Sequence, residues 1–177
     1  IFGWLFFILL LPIHLISSAS NMSANQKIAG MSDLNLPEWA KNANIYEVNI
    51  RQYTSEGTFA AFKKHLPRLS EMEVDILWFM PVFPISKTKK KGTLGSYYAV
   101  SDFRTTNPEF GTKEDFKAII DEAHALGMRI ILDWVPNHTG WDHIWLKKNP
   151  DYYTKDASGN ITDPLNEPVS YTHLTLP

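Results

Sequence analysis

One hexapeptide carries several side chains that could do chemistry. Asp133-Trp134-Val135-Pro136-Asn137-His138 directly follows the apolar run Arg129-Ile130-Ile131-Leu132. A carboxylate in this place could orient a ligand, act in catalysis or merely cap the next turn. A histidine could act as acid, base, metal ligand or hydrogen-bond donor, and an asparagine oxygen suits a hard cation such as Ca²⁺. Each residue taken alone is a weak indication.

A second polar block lies upstream, between Gly95 and Asp102, and contains the pair Tyr97-Tyr98. It is followed by Asn107-Pro108-Glu109-Phe110-Gly111-Thr112. If the block is extended, the two tyrosines point to opposite sides and one of them should be buried. Tyr98 is then either a ligand-contacting ring or a core aromatic.

Three strands are predicted to position these blocks. The alternating segment 45–50, the apolar segment 74–80 and the segment 129–132 all have strand character. Side chains at the carboxyl ends of parallel strands converge on one rigid mouth, where chemistry is usually found.

Two helices are predicted between the strands. Thr58 caps the first, and Pro67 inside it predicts a kink or a restart. Thr112 caps the second, with Asp115 in a capping-box arrangement and Gly127 at the left-handed C-terminal position. The apolar stripes are Phe59, Phe62, Leu66 and Leu69 in the first helix and Phe116, Ile119, Ile120 and Ala123 in the second.

The order of these elements predicts an α/β fold with a parallel sheet. The pattern suits either the wall of a barrel or a doubly wound sheet, and does not choose between them. Beyond Thr139 the periodicity fades, and the aromatic segment 141–153 is expected to pack within the protein more than to contact a ligand.

Composition excludes several classes of protein. The 177 residues include 44% hydrophobic residues, which is typical of a globular protein. The net charge of −2 argues against a nucleic-acid partner, and no cysteine is present for disulfides or thiolate chemistry. The basic run 87–91 is interpreted as a solvated loop.

The N-terminal segment 1–20 is interpreted as a secretory signal peptide. An apolar run to Ile16 gives way to Ser17-Ser18-Ala19-Ser20, and the run is shorter than the ~20 residues of a membrane span. We therefore expect a secreted or periplasmic protein with no stable membrane anchor after cleavage. An uncleaved anchor is the alternative. Residues 21–42 are polar and are interpreted as a linker.

The two polar blocks together resemble the α-amylase superfamily of glycoside hydrolases. Asp-x-x-x-Asn-His follows a buried strand, about thirty residues beyond Tyr98, Asp102 and the helix start at Thr112. The resemblance covers Ala43 to about Asn166 and implies part of a (β/α)8 TIM barrel, whose complete form needs ~250 residues. The implied division is 43–136 for about three βα units of the barrel, 137–168 for the start of a protruding domain and 169–177 for a non-native tail.

The resemblance also implies roles for five residues. Tyr98 would stack on the sugar at the cleavage point, and His138 would hydrogen-bond a hydroxyl of that sugar. Asp133 and Asp102 would support the active site, and Asn137 would give an oxygen to a structural calcium ion. The implied partner is an α-glucan or a maltooligosaccharide.

The chain is expected to lack the catalytic carboxylates. Retaining hydrolysis needs a nucleophile and an acid/base, which in this family lie after later strands. Glu47, Asp75, Asp102 and Glu109 match none of those positions. We therefore expect a fragment of a retaining α-glucosidic hydrolase that is inactive by itself.

Two alternatives remain beside this interpretation. An inert amylase-like accessory subunit anchored to the membrane is compatible with the apolar N-terminus, although Tyr98 and His138 are both in place. A nucleotide-binding doubly wound domain lacks the expected Gly-x-Gly-x-x-Gly turn. One departure from the family is Glu73, where relatives usually have glycine, at a cost of ~1 kcal/mol if the backbone there is left-handed.

Overall fold

The computed structural model describes residues 36–162 and the backbone of residues 172–173. The predicted signal peptide, most of the predicted linker and most of the predicted tail lie outside the described residues. Within the described part, no helix is long and apolar enough to cross a membrane. The chain forms two units, 1–41 and 42–177. In the first unit, the described residues include a short 3-10 helix, Glu38–Ala40.

A parallel three-stranded sheet organises the second unit. Strands β1 (Ile45–Val48), β2 (Ile76–Phe79) and β3 (Arg129–Leu132) lie side by side in chain order. The α/β prediction is therefore confirmed, and β3 has the predicted bounds. β1 and β2 are each shorter than predicted.

The predicted end of β1 was wrong because the chain turns at Asn49. Residues Ile50–Tyr53 form a single helical turn, α1, and the Ile50 side chain is buried. Ile50 continues the alternation of Tyr46 and Val48, so the residue pattern alone does not mark the end of the strand. Asn49 is left at the carboxyl end of β1.

The first predicted helix is interrupted at Pro67, as its position predicted. Helix α2 covers Phe59–Lys63 and helix α3 covers Leu66–Glu71, with Pro67 in the first turn of α3. Proline is tolerated there because the first amides of a helix have no partner within it. The Thr58 hydroxyl accepts a hydrogen bond from the Ala61 amide at 3.3 Å, so the predicted cap is confirmed.

The second predicted helix is also confirmed, as α4 (Lys113–Ala125). Thr112 and Asp115 form a reciprocal capping box, in which each side chain accepts the other residue's amide, at 3.1 and 2.8 Å. Gly127 follows the C-cap residue Leu126, and its φ of +83° is the left-handed conformation that the sequence predicted.

The helices cover one face of the sheet. Two in-register sets of three residues point into the core, Tyr46 with Leu77 and Ile130, and Val48 with Phe79 and Leu132. The core also includes Phe59, Phe62, Leu66, Leu69, Phe116 and Ile119. On the opposite face, Ile45 is 57% exposed and Ile131 is 44% exposed. Exposure alternates along β1 and β3, whereas the central strand β2 is apolar throughout and has no exposed residue.

After β3 the chain is mostly irregular, as expected from its sequence. A two-residue strand β4 (His138–Thr139) pairs antiparallel with β5 (Thr172–His173), and a short helix α5 (Ile144–Lys148) precedes a 3-10 turn, Pro150–Tyr152. Tyr153 is buried, and its hydroxyl lies 2.9 Å from the Thr139 hydroxyl. This part of the aromatic segment packs inside the protein, as the sequence analysis favoured.

Candidate active-site rim

A hydrogen bond joins the two polar blocks of the sequence. The amide of Asp133 donates to the carbonyl of Phe79 at 2.9 Å, which holds Asp133 at the carboxyl end of β3. The Tyr98 hydroxyl donates to Asp133 Oδ2 at 2.8 Å, across 35 positions of the chain. The structure therefore brings together two of the predicted site residues.

The neighbouring tyrosine makes an equivalent bond to a different strand. The Tyr97 hydroxyl donates to Asn49 Oδ1 at 2.9 Å, at the carboxyl end of β1. Tyr97 and Tyr98 lie in a turn and not in an extended segment, so the condition for burying one of them is not met, and both are half-buried. Sequence analysis missed Asn49, because the predicted strand 45–50 included it, whereas the observed strand ends at Val48.

Arg51 holds Tyr97 from its other side. The guanidinium carbon lies 4.6 Å from the Tyr97 ring centroid, which is a cation–π arrangement. The same guanidinium is 3.2 Å from Glu109 Oε2, and the Arg51 side chain is only 16% exposed. The Glu109 side chain is 65% exposed, so solvent screens this ion pair.

Asn137 and His138 lie next to the second block. The Gly140 amide donates to the carbonyl of Val100 at 2.8 Å, so the segment after β3 runs beside the end of the tyrosine block. His138 is buried, whereas Asn137 is exposed, and Asn137 Nδ2 lies 3.3 Å from His138 Nδ1. The asparagine amide therefore helps to fix the plane of the imidazole.

The predicted calcium ligand Asn137 stays a prediction. Calcium takes six to eight oxygen ligands, and Asn137 offers one amide oxygen. Within residues 36–162 no group of three or more histidine, aspartate or glutamate side chains could hold a metal ion.

Asp102 makes its hydrogen bonds to Arg104. The guanidinium donates to both carboxylate oxygens at 3.0 Å, and the Arg104 amide donates to Oδ1 at 2.9 Å. The Arg104 side chain holds the pKa of Asp102 below its usual range. Asp102 lines a cleft of about 590 Å³ together with Lys87, Glu109 and Asp142. The predicted supporting role of Asp102 stays a prediction.

Two of the other carboxylates considered in the sequence also have structural partners. Asp75 Oδ2 accepts the Asn44 amide at 2.9 Å, and Glu109 pairs with Arg51. Glu47 is exposed on β1. These contacts give no reason to assign any of them as nucleophile or acid/base.

His143 is a buried histidine that sequence analysis overlooked. Its Nδ1 accepts the Trp145 amide at 3.1 Å, so the imidazole caps helix α5. Its ring packs against Trp145 and Phe103, with centroids 4.6 and 5.3 Å apart. Among the described residues, its buried Nε2 has no hydrogen-bond partner. Burial lowers the pKa of His143 to about 4, so the ring is neutral near pH 7.

The sequence is similar to a known protein family and to individual curated proteins. Residues 20–164 match the family described as alpha amylase, catalytic domain. A trehalose synthase of Thermus thermophilus is 38% identical over 117 residues, which are 63% of this chain and 11% of that protein. An oligo-1,6-glucosidase of Heyndrickxia coagulans is 32% identical over 145 residues, 74% of this chain and 25% of that protein.

A solved structure is similar as well. The crystal structure of an alpha-amylase from Lactobacillus plantarum superposes with a TM-score of 0.73 at 42% identity, covering 75% of this chain and 32% of that chain. The chain therefore spans a third or less of the length of each of these proteins.

Proposed function

This chain belongs to the α-amylase family of glycoside hydrolases, and we propose that it supplies the sugar-binding rim of an enzyme that cleaves α-glucosidic bonds in starch-like glucans. The observation that carries the proposal is the hydrogen bond from Tyr98 to Asp133. It places an aromatic ring at the carboxyl end of the sheet, where parallel α/β folds keep their chemistry.

The Tyr98 ring is suited to pack against a sugar. A pyranose presents an apolar C–H surface that an aromatic face covers well. Because the hydroxyl bonds Asp133, the range of orientations open to the ring is reduced. A rigid ring loses little conformational entropy when the substrate binds.

His138 would bind a hydroxyl of the same sugar. Its ring is buried and lies beside Asn137, which limits its rotation. A hydrogen bond that shortens as positive charge develops on the sugar ring stabilises the transition state more than the ground state. This is the chemical contribution that we propose for His138.

The three strands would form part of a (β/α)8 barrel wall, over residues 43–136. The exposed apolar side chains Ile45 and Ile131 would then face the barrel interior and be covered by further strands. Residues 137–168 would begin the protruding domain, and residues 169–177 would be a non-native tail.

The bond-breaking groups would lie outside this chain. A retaining mechanism needs two carboxyl groups ~5 to 5.5 Å apart, one as nucleophile and one as acid/base. Asp75, Asp102 and Glu109 are engaged in structural contacts instead. The 177-residue chain alone is therefore expected to hydrolyse no glucan.

Two further parts of the proposal concern calcium and location. Asn137 would give one oxygen to a calcium ion whose other ligands lie elsewhere in the complete protein, and calorimetric titration of the EDTA-treated full-length protein with CaCl₂ tests this.

The N-terminal segment would direct secretion or periplasmic export. N-terminal sequencing of the exported protein would then find a start near residue 20.

The decisive experiment uses the full-length gene product that contains this chain. It should release reducing sugar from starch or maltooligosaccharides, with pullulan, cyclodextrins and trehalose tested in parallel. NMR of the first product should show the α-anomer, since a double displacement retains configuration. A β-anomer contradicts the retaining mechanism. A folded full-length protein without any of these activities contradicts the proposal and favours the inert accessory subunit.

A further inference from the structure

We infer that Tyr97 is a positioning residue for the substrate, because its bond to Asn49 fixes the adjacent Tyr98 against the sugar. This inference rests on the proposed function and adds a residue to it. The structural basis is that two consecutive tyrosines are tied to two different strands, one to β1 and the other to β3.

The two bonds span the carboxyl edge of the sheet. β1 and β3 flank β2, so their ends lie about 10 Å apart at the usual spacing of neighbouring strands. Tyr97 reaches Asn49 at 2.9 Å on one side, and Tyr98 reaches Asp133 at 2.8 Å on the other. The turn that carries both tyrosines therefore bridges the edge above β2 and is held at both ends.

Two anchors restrict motion that one anchor allows. A single hydrogen bond from Tyr98 to Asp133 leaves the backbone of the turn able to shift and the ring able to tilt. The second bond, one residue away, fixes that backbone. Small displacements of positioning groups have large effects on turnover, because the reacting atoms must lie within narrow distance limits.

The hydroxyl and the ring of Tyr97 make different contacts. The ring lies 4.6 Å from the Arg51 guanidinium and 6.3 Å from the Phe110 ring, so it contributes packing. The hydroxyl contributes the bond to Asn49. Tyr97→Phe therefore removes the anchor and keeps the packing, which makes it a clean probe.

The test measures kcat and KM of the full-length protein on maltooligosaccharides. Tyr97→Phe should lower kcat/KM about three- to tenfold, the range expected for one lost hydrogen bond. Asn49→Leu should do the same from the other partner. Asn49→Asp keeps an oxygen acceptor and should restore most of the activity.

A matched control is available on the helical side of the fold. The Tyr53 hydroxyl also forms a side-chain hydrogen bond, to Arg68. Tyr53→Phe removes a tyrosine hydroxyl of the same kind, from a ring that packs against Phe62 and His65 among the helices. It should leave kcat and KM unchanged for the folded protein.

A double variant shows whether Tyr97 acts through Tyr98. In a Tyr98→Ala protein there is no ring left to position, so adding Tyr97→Phe should cause no further loss of kcat/KM. Independent effects would multiply instead.

Each outcome has a distinct meaning. A wild-type protein without glucan activity removes the proposed function and this inference with it. An active wild type with unchanged kcat/KM in both Tyr97→Phe and Asn49→Leu overturns the inference alone. The same holds if these variants lose only thermal stability while the folded molecules keep wild-type kcat and KM, or if the effects of Tyr97→Phe and Tyr98→Ala multiply.

Discussion

Glu73 and Gly127 occupy the same position in two matching helix ends. The amides of Glu73 and Val74 donate to the carbonyls of Ser70 and Leu69, and those of Gly127 and Met128 donate to His124 and Ala123. This is the Schellman arrangement, in which the first residue beyond the cap is left-handed. Its φ is +58° at Glu73 and +83° at Gly127.

Replacing Glu73 by glycine should stabilise the protein. A side chain at positive φ brings Cβ too close to the backbone, which glycine avoids. Glu73→Gly should therefore raise the free energy of unfolding by about 1 kcal/mol. Denaturant titration measures the change. The hydrogen bond from Asn44 to the Glu73 carbonyl involves only the backbone of residue 73 and can persist in the variant.

Gly127→Ala is the matched opposite change. A Cβ at Gly127 would meet no heavy atom within 4 Å, so only the backbone strain changes. The free energy of unfolding should fall by about 1 kcal/mol. Changes of the same sign in the two variants would contradict the strain explanation.

The bond between Tyr98 and Asp133 should have a measurable effect on catalysis by the full-length protein. Tyr98→Phe keeps the ring and should lower kcat/KM by about tenfold or less, the limit for one hydrogen bond. Tyr98→Ala also removes the stacking surface and should lower kcat/KM much further. Tyr152→Phe, at an exposed tyrosine, serves as the control. Equal losses in Tyr98→Phe and Tyr98→Ala would rule out stacking as the main role of the ring.

The buried His143 should make the free energy of unfolding decrease as the pH is lowered. Its pKa is about 4 when folded and about 6.5 when unfolded, so between these values the unfolded state binds more protons. The stabilisation that comes from this difference in pKa is complete above pH 6.5 and is lost progressively as the pH falls toward 4. Melting temperatures from pH 7 to pH 4.5 would show the decrease.

His143→Asn isolates this effect. Asparagine also caps helices but does not titrate. The variant should lose less stability than the wild type between pH 7 and pH 4.5, where most carboxylates are still ionised. Identical pH profiles for the two proteins would show that protonation of His143 is not coupled to unfolding.

Close packing at Gly140 should make this position intolerant of a side chain. An added Cβ would lie 2.2 Å from the Ser86 Cβ and 3.0 Å from the Ala99 carbonyl oxygen. Gly140→Ala should destabilise the protein by about 1 to 3 kcal/mol, as measured by denaturant titration.

Ser86→Gly provides the test of that cause. It removes the nearer of the two atoms, so the double variant Ser86→Gly with Gly140→Ala should be less destabilised than the sum of the single variants. Simple addition of the two effects would place the cause elsewhere.

Much of the fold was predictable because it depends on neighbouring residues. The caps at Thr58 and Thr112, the restart at Pro67 and the left-handed residue at Gly127 each follow from local backbone chemistry. Strand β3 was predicted with its observed bounds because it is a short apolar run between clear end signals. The end of β1 was missed because Ile50 continues the alternation of Tyr46 and Val48, although the backbone is already helical at Ile50.

The sequence by itself determined the α/β order of elements, the helix ends and the two polar blocks that resemble an α-amylase. Only the tertiary structure decided that Tyr98 bonds Asp133, that Tyr97 bonds Asn49 and that His143 is buried. The physical reason is distance along the chain: the two tyrosine bonds join residues 35 and 48 positions apart. Such contacts depend on how the strands align and where the long loop folds back, and no local pattern of residue types specifies either.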